Sequence, residues 1–455
     1  MISKYFLRLS VVALNLLLFA SCLGSSDDEI EYSPDAQIYS FSLTSRADTL
    51  NLLNATAFTI DQVNGKIYNK EPLPYLFHVD SAMLNISSSN QYFPFSRVTL
   101  KLSPDSSYTW NSSDSVAINR LLQILTTAPD GETAKLYDFQ LNIYQQDPYL
   151  LTWSRSNRAK EYLSDSPSDQ KTIGFNGRFI TYYKSGTNIK AASTQEQNVE
   201  EWDEVDVSTL PSTILLNSLL STNSAVYALD EEGDVFASDE TGITWSRIST
   251  DYNIAAIYGL LPSSTGKRIL LAVRDTNSDM LYFALTDDFS EIQLMNSISD
   301  ELPLSGFTST SVENPDSYST QYIVLAGGVD SNKAANKAIW LLHEKEGEIT
   351  HISTIPQIPM DGSSLFYYDN RLYLMIMKEG ENSFLYSENF GLSWIAAGDN
   401  QAFPSDTEDF IPRTNASVVT DDSNNIWIFG GISASSTPAQ LVDAWSAKLN
   451  KFTMD

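Results

Sequence analysis

The chain has 455 residues, with 57 acidic against 28 basic side chains and a formal net charge of −29. An excess of that sign repels nucleic acid and anionic lipid head groups, so neither is expected as a partner through charge. A lone cysteine, Cys22, and three histidines, His78, His343 and His351, exclude a disulfide framework and thiolate or iron–sulfur sites. They fit histidine-rich metal catalysis poorly, so no metal and no cofactor is expected.

The first 21 residues have the layout of a secretory signal. Lys4 and Arg8 give the positive start, an apolar run follows from Leu9 to Phe19, and the small residues Ala20 and Ser21 precede Cys22. The run is shorter than the roughly 20 residues of a comfortable transmembrane helix. Leu18-Phe19-Ala20-Ser21-Cys22 resembles the lipobox of bacterial lipoproteins, with Phe19 where leucine is usual. The resemblance makes 1–21 a signal peptide and Cys22 the lipid attachment site. Two or more acyl chains on Cys22 would hold the chain stably in a membrane. Removing Lys4 and Arg8 takes the net charge from −29 to −31. Residues 22–36 read as an acidic tether. Its Ser25-Ser26-Asp27-Asp28-Glu29 resembles the signal that sends Bacteroidota lipoproteins to the outer face of the outer membrane. The expected place is therefore the outer membrane, lipid-anchored and facing the exterior.

About 430 residues remain, too many for one ordinary core. Tyr and Phe are abundant, which suits an all-β protein. Residues 37–148 show period-two alternation. Tyr39, Phe41 and Leu43 fall on one face, Phe58 and Ile60 follow, then Val98, Leu100 and Leu102, and last Phe139, Leu141 and Ile143. Short alternating segments separated by Asn, Asp, Ser, Gly and Pro predict a sandwich of Ig-like size. A helix is expected at Ile118–Leu125 and a domain boundary at Gln145–Pro148.

Residues 149–455 repeat. Apolar strands are predicted at Arg178–Tyr183, Ala225–Leu229, Arg268–Val273, Tyr322–Ala326, Arg371–Met375 and Asn425–Phe429. They recur roughly every 43 to 55 residues, the period of propeller blades, and six such units fit. The expected fold is an Ig-like β-sandwich followed by a six-bladed β-propeller. Thr152-Trp153-Ser154-Arg155 repeats Thr244-Trp245-Ser246-Arg247, which predicts that the earlier copy is an outer strand completing the last blade.

Ser238, Glu240, Gly242 and Trp245 stand in a frame resembling the Asp box of sialidase-type propellers, as do Ser387, Asn389, Gly391 and Trp394. A third, worn copy lies at Thr286–Ile292. In such a frame the glycine takes a positive φ and the polar third residue caps backbone N–H groups. These are structural turns and imply no catalysis. Gly327 and Gly328 with Trp340, and Gly430 and Gly431 with Trp445, resemble kelch blades, where a glycine pair lets backbones approach closely.

The segments Phe58–Lys70, Leu73-Pro74-Tyr75 and Ile143–Pro148, with this layout, resemble an uncharacterised Bacteroidales lipoprotein family. Members pair an N-terminal Ig-like domain of unknown function with a C-terminal kelch- or sialidase-like propeller. The resemblance implies architecture and location and carries no catalytic residue. The leading expectation is a cell-surface binding module whose ligand is a glycan or a protein. A sialidase-like hydrolase is the alternative; it would draw on Arg178, Arg268, Arg274, Arg371 and Arg413, but no Phe-Arg-Ile-Pro segment opens the propeller. A structural part of an outer-membrane assembly is the third reading. Catalysis is left open, with the sequence pointing away from it. Thr49, Ser81 and Ser115, each after an aspartate, are candidate O-glycan acceptors, which requires their hydroxyls to be exposed.

Overall fold

The computed structural model describes residues 32–453 except 90–93, 157–161, 208, 264–265, 276–277, 314–320 and 405–408. The signal peptide, Cys22 and the first ten residues of the tether lie outside the described residues. The chain divides into two compact units between Gln146 and Asp147. No helix among the described residues is long and apolar enough to cross a membrane.

In the first unit alternation drives two sheets onto one core. A three-stranded sheet carries Ser40–Thr44, Ala82–Ser87 and Ser115–Val116 in that order. A six-stranded sheet runs Phe58–Asp61, Lys66–Asn69, Ala134–Gln140, Gln123–Thr127, Arg97–Ser103 and Ser106–Thr109. The second and third of these strands pair in parallel, Ile67 opposite Phe139. Phe41, Leu43, Leu84, Ile67, Leu100, Ile124 and Tyr137 fill the core. Tyr39 departs from the expected face: it precedes the strand and is 61% exposed. The buried Tyr137 hydroxyl accepts the Ile38 N–H at 3.0 Å and donates to Gln62 at 2.7 Å, so a phenol sits in the core without an orphaned oxygen.

The expected helix at 118–125 is absent. Residues 118–120 form a turn, and Gln123–Thr127 is a strand whose Ile124 enters the core. Pairing with Arg97–Ser103 on one side and Ala134–Gln140 on the other outweighs a weak local helical pattern. The unit's helix is one turn, Leu52–Ala55, whose first N–H groups are taken by the Asp48 carboxylate at 2.8–3.1 Å.

Among the described residues the second unit holds six four-stranded antiparallel sheets. The first to fifth follow chain order, and their first strands are Asp169–Phe175, Ile214–Ser221, Asn253–Ser263, Ser305–Glu313 and Ser364–Tyr368. The sixth begins with Ser417–Thr420. Each first strand packs on the next, and the sixth packs back on the first, so the cycle is closed. The predicted apolar strands are the second strands of all six sheets. They read as continuous apolar runs because both faces are covered by neighbouring sheets, as in Phe179–Tyr183 and Ile269–Val273. Hydroxyl groups stitch neighbouring first strands together. Ser417 accepts the Thr172 N–H at 2.8 Å, Ser364 donates to the Ala416 carbonyl at 2.7 Å, Thr308 accepts the Leu365 N–H at 3.0 Å and Ser311 donates to the Leu260 carbonyl at 2.8 Å.

The outer strand of the sixth sheet comes from the start of the unit, as the Thr-Trp-Ser-Arg repeat predicts. Leu151–Ser156 pairs antiparallel with Ala444–Leu449, Trp153 opposite Ala447. Trp153 packs among Phe384, Phe403 and Phe410 with ring centroids 5.0–6.3 Å away, and its indole N–H donates to the Ala402 carbonyl. The later copy opens Trp245–Ile248, the outer strand of the second sheet. Both copies thus do the same geometric job.

Candidate functional site

The Asp-box-like residues occupy hairpins between third and fourth strands. In the fifth sheet the frame holds in register. The Asn389 side-chain oxygen accepts the Ser393 N–H at 2.9 Å, Ser387 accepts the Gly391 N–H at 2.8 Å, and the Trp394 indole donates to the Gly391 carbonyl at 3.1 Å. In the second sheet the cap shifts by one residue. Asp239, not Glu240, accepts the N–H groups of Thr241 and Thr244, while Glu240 is exposed. Burial pulls the Asp239 carboxyl up, but the bonds from Thr241 and Thr244 outweigh it and hold it below the usual carboxylate range. Gly242 has φ +77°, and a Cβ there would stand 2.6 Å from Ile180 of the preceding sheet, so the turn needs glycine for both backbone and space. Trp245 is buried, edge-on to Tyr182 of that same sheet. In the worn copy Thr286 accepts the Phe289 N–H and Phe289 itself is buried against Tyr227. These residues join sheets.

The glycine pairs end second strands in the fourth and sixth sheets. A Cβ on Gly328 would lie 2.5 Å from the Ser305 carbonyl oxygen, so two backbones meet there at a distance no other residue allows. The Trp340 indole donates to Asn336 at 3.2 Å and the Trp445 indole to Asp443 at 2.9 Å. In the sixth sheet the pair is fastened by an ion pair that sequence reading missed. The Arg413 side chain is fully buried; it meets both Asp443 oxygens at 2.5 and 3.1 Å and donates to the carbonyls of Gly430 and Ile411. Burial pulls the Asp443 carboxyl up, and the Arg413 guanidinium outweighs it, holding the group below its ordinary range.

The Gly327–Gly328 end opens into a pocket of about 710 Å³. Its walls are the end of the fourth sheet's second strand, residues 327–329, the loop residues 335–337, and the connection from the fourth sheet to the fifth, residues 355–362, with Gly306 of the first strand and Asn415 at the entry to the sixth sheet. The Asn415 N–H binds the Gly362 carbonyl at 2.8 Å, tying that floor together. In antiparallel sheets, connections from second to third strand and from sheet to sheet lie at one end of the strands. The Asp-box-like hairpins lie at the other. The pocket therefore occupies one loop face, opposite the structural turns. Nothing in the sequence marked 355–362 beyond the two prolines around Gln357 and Ile358.

The arginines a sialidase would use are mostly taken up by carboxylates of this chain. Arg178 and Arg371 open the second strands of the first and fifth sheets, and Arg268 lies near the start of that of the third, Gly266–Arg274. Arg268 pairs with Asp287, Arg274 with Asp279, Arg371 with Glu388 and Arg413 with Asp443. Asp230, Glu232 and Asp234 bring carboxylates within 4.8 Å of one another on a hairpin. Asp230 caps the N–H groups of Glu232 and Asp234, and Asp234 holds Arg247 at 2.5 Å, which is the chemistry of a turn. Thr49 and Ser115 are exposed; Ser81 is half-buried and accepts from Ser115 at 3.0 Å. The aspartates before them have local work: Asp48 caps the helix, Asp80 meets His78 at 3.1 Å and Asp114 accepts the Asn111 N–H.

The family model described as the DUF6242 beta propeller domain matches residues 147–455, and that of the DUF6242 N-terminal domain, a domain of unknown function, matches residues 37–141. No curated protein matches the sequence. Among solved structures, YjhT is 9% identical over 62% of this chain and 95% of that one, with a TM-score of 0.43. The six-bladed, fucose-recognising fungal lectin of Aleuria aurantia is 12% identical over 62% and 92%, with a TM-score of 0.38. The N-terminal domain of Nup159 is 10% identical over 66% and 96%, with a TM-score of 0.34.

Proposed function

The chain belongs to the DUF6242 family, a β-propeller protein, and from that premise we propose that it is a binding module displayed on a cell surface through a lipid on Cys22. We read the six sheets as six blades and the first unit as an Ig-like sandwich. The observation that carries the reading is the pocket at the loop face of the fourth and fifth sheets. Its size lies within the roughly 300–1,000 Å³ of small-ligand sites. Walls come from separate sheets, so the closed ring holds them at fixed spacing. A hydrolase draws less support, because four of the five arginines it would use are already held by carboxylates.

The test has two arms. Full-length protein is screened for ligands by thermal shift, and any hit is repeated with Ile355→Asp, which changes an exposed wall residue; binding must fall at least tenfold. For the anchor, an alkyne fatty acid fed to the host should label wild type and not Cys22→Ala. Equal labelling would remove the anchor from the proposal.

A further inference from the structure

Resting on that pocket as the binding site, we propose that it takes a short extended peptide segment of a partner protein, bearing aliphatic side chains, rather than a sugar. The first support is the wall formed by Ile355-Pro356-Gln357-Ile358-Pro359. Among the described residues, no hydrogen bond involves a main-chain group of this run. It follows directly on the outer strand Glu348–Thr354, past the point where its partner strand stops, and bends at Gln357 and Ile358. The two prolines remove two donors and keep the run from folding onto itself. What remains are its carbonyls and the N–H groups of Ile355, Gln357 and Ile358, on residues that line the pocket. The chemical complement of an unpaired main chain is another main chain.

The second support is the facing wall. Gly306, Gly327 and Gly328 line it with main chain alone, the Cβ directions of Gly327 and Gly328 being turned onto Met360 and onto Ser305 and Phe307, so no side chain of theirs projects into the pocket. The third is the kind of side chain offered. Ile355 is 67% exposed, and Ile358 and Val329 stand partly open, which suits aliphatic groups. Among the described residues no aromatic side chain lines the pocket, so they offer no flat apolar surface of the kind on which a pyranose ring rests. Lys337 and Asp361 supply one exposed charge of each sign, neither held in an ion pair among the described residues. That balance matches a mixed peptide better than a polyanion, in a protein whose net charge is −29.

The test exposes full-length protein to an array of random decapeptides and, in parallel, to a glycan array, with wild type, Ile355→Asp, Gln357→Ala and Gln357→Pro. The expected result is peptide binding that falls at least tenfold in Ile355→Asp and Gln357→Pro. Gln357→Ala should stay within about threefold, because it keeps the main-chain N–H that proline removes. Circular dichroism melts identify any variant that fails to fold, and Ile355→Asp carries the test if Gln357→Pro does. Glycan binding that Ile355→Asp abolishes would keep the pocket and overturn the peptide. Peptide binding indifferent to Ile355→Asp, or no binding on either array, would overturn the pocket itself.

Discussion

Removing the carboxylate of Asp443 strands a guanidinium that has no route to water. Arg413 is fully buried, and Asp443 neutralises it through two contacts while also accepting the Trp445 indole N–H. Breaking a buried pair from one side costs about 3–5 kcal/mol. In a unit of roughly 300 residues, at about 2.1 cal/mol/K of unfolding entropy per residue, each kcal/mol moves the melting temperature by about 1.6 °C, so Asp443→Asn should melt about 5–8 °C lower at pH 7. Replacing both partners, as in Arg413→Met with Asp443→Leu, removes the desolvated charges together and should recover most of that loss. The pH dependence has a fixed sign. The folded carboxyl lies below its unfolded value of about 3.9, so the unfolded state binds the proton more readily. Its contribution is complete above about pH 4 and is lost as pH falls through the folded value. Differential scanning calorimetry between pH 3 and pH 7 measures both effects. A single variant that melts within 2 °C of wild type at pH 7, or a double variant less stable than the single, would refute the reasoning.

Gly242→Ala should cost about 2 kcal/mol or more in urea titration, from the left-handed backbone and the contact with Ile180 together. Gly186→Ala, with φ +61° and open space around it, should cost about 1 kcal/mol from the backbone alone; equal losses would show that the clash is relieved at no cost. Trp153→Ala empties the aromatic cluster behind the closing strand and should cost about 3 kcal/mol. Hydrogen exchange should then lose protection first in Ala444–Leu449, the strand it closes; uniform loss over all six sheets would contradict a local seam. The mass of protein from its native host should exceed peptide plus lipid if Thr49, Ser81 or Ser115 carries a glycan, and a mass without that excess ends the idea.

The ring was readable because its signals are local and repeated. Second strands are buried on both faces, so they appear as apolar runs at blade spacing, and the Thr-Trp-Ser-Arg copy betrays the closing strand before any contact is known. The strands of the first unit were readable through alternation, but Ile118–Leu125 was not, because the choice between turn-plus-strand and helix is made by neighbours distant in sequence. Ile124 pairs with Leu100 and Tyr137, and nothing within eight residues records that.

The site was less legible for a related reason. Turn residues advertise themselves, since glycine, asparagine and tryptophan at fixed spacing serve few purposes besides a capped hairpin. Even there the cap moved from Glu240 to Asp239, because a shorter side chain one position earlier reaches the same N–H groups. A pocket wall advertises nothing. Ile355–Pro359 gains its meaning from standing opposite Gly306 and Gly328, which lie in other strands, and from bonds it does not make. Arg413 shows the converse. A lone arginine in sequence suits a substrate carboxylate as well as an internal one, and only the placing of Asp443, 30 residues away, decides that its charge is neutralised inside the fold. Composition and period report what a chain must bury; what it holds open depends on segments that meet only after the ring has closed.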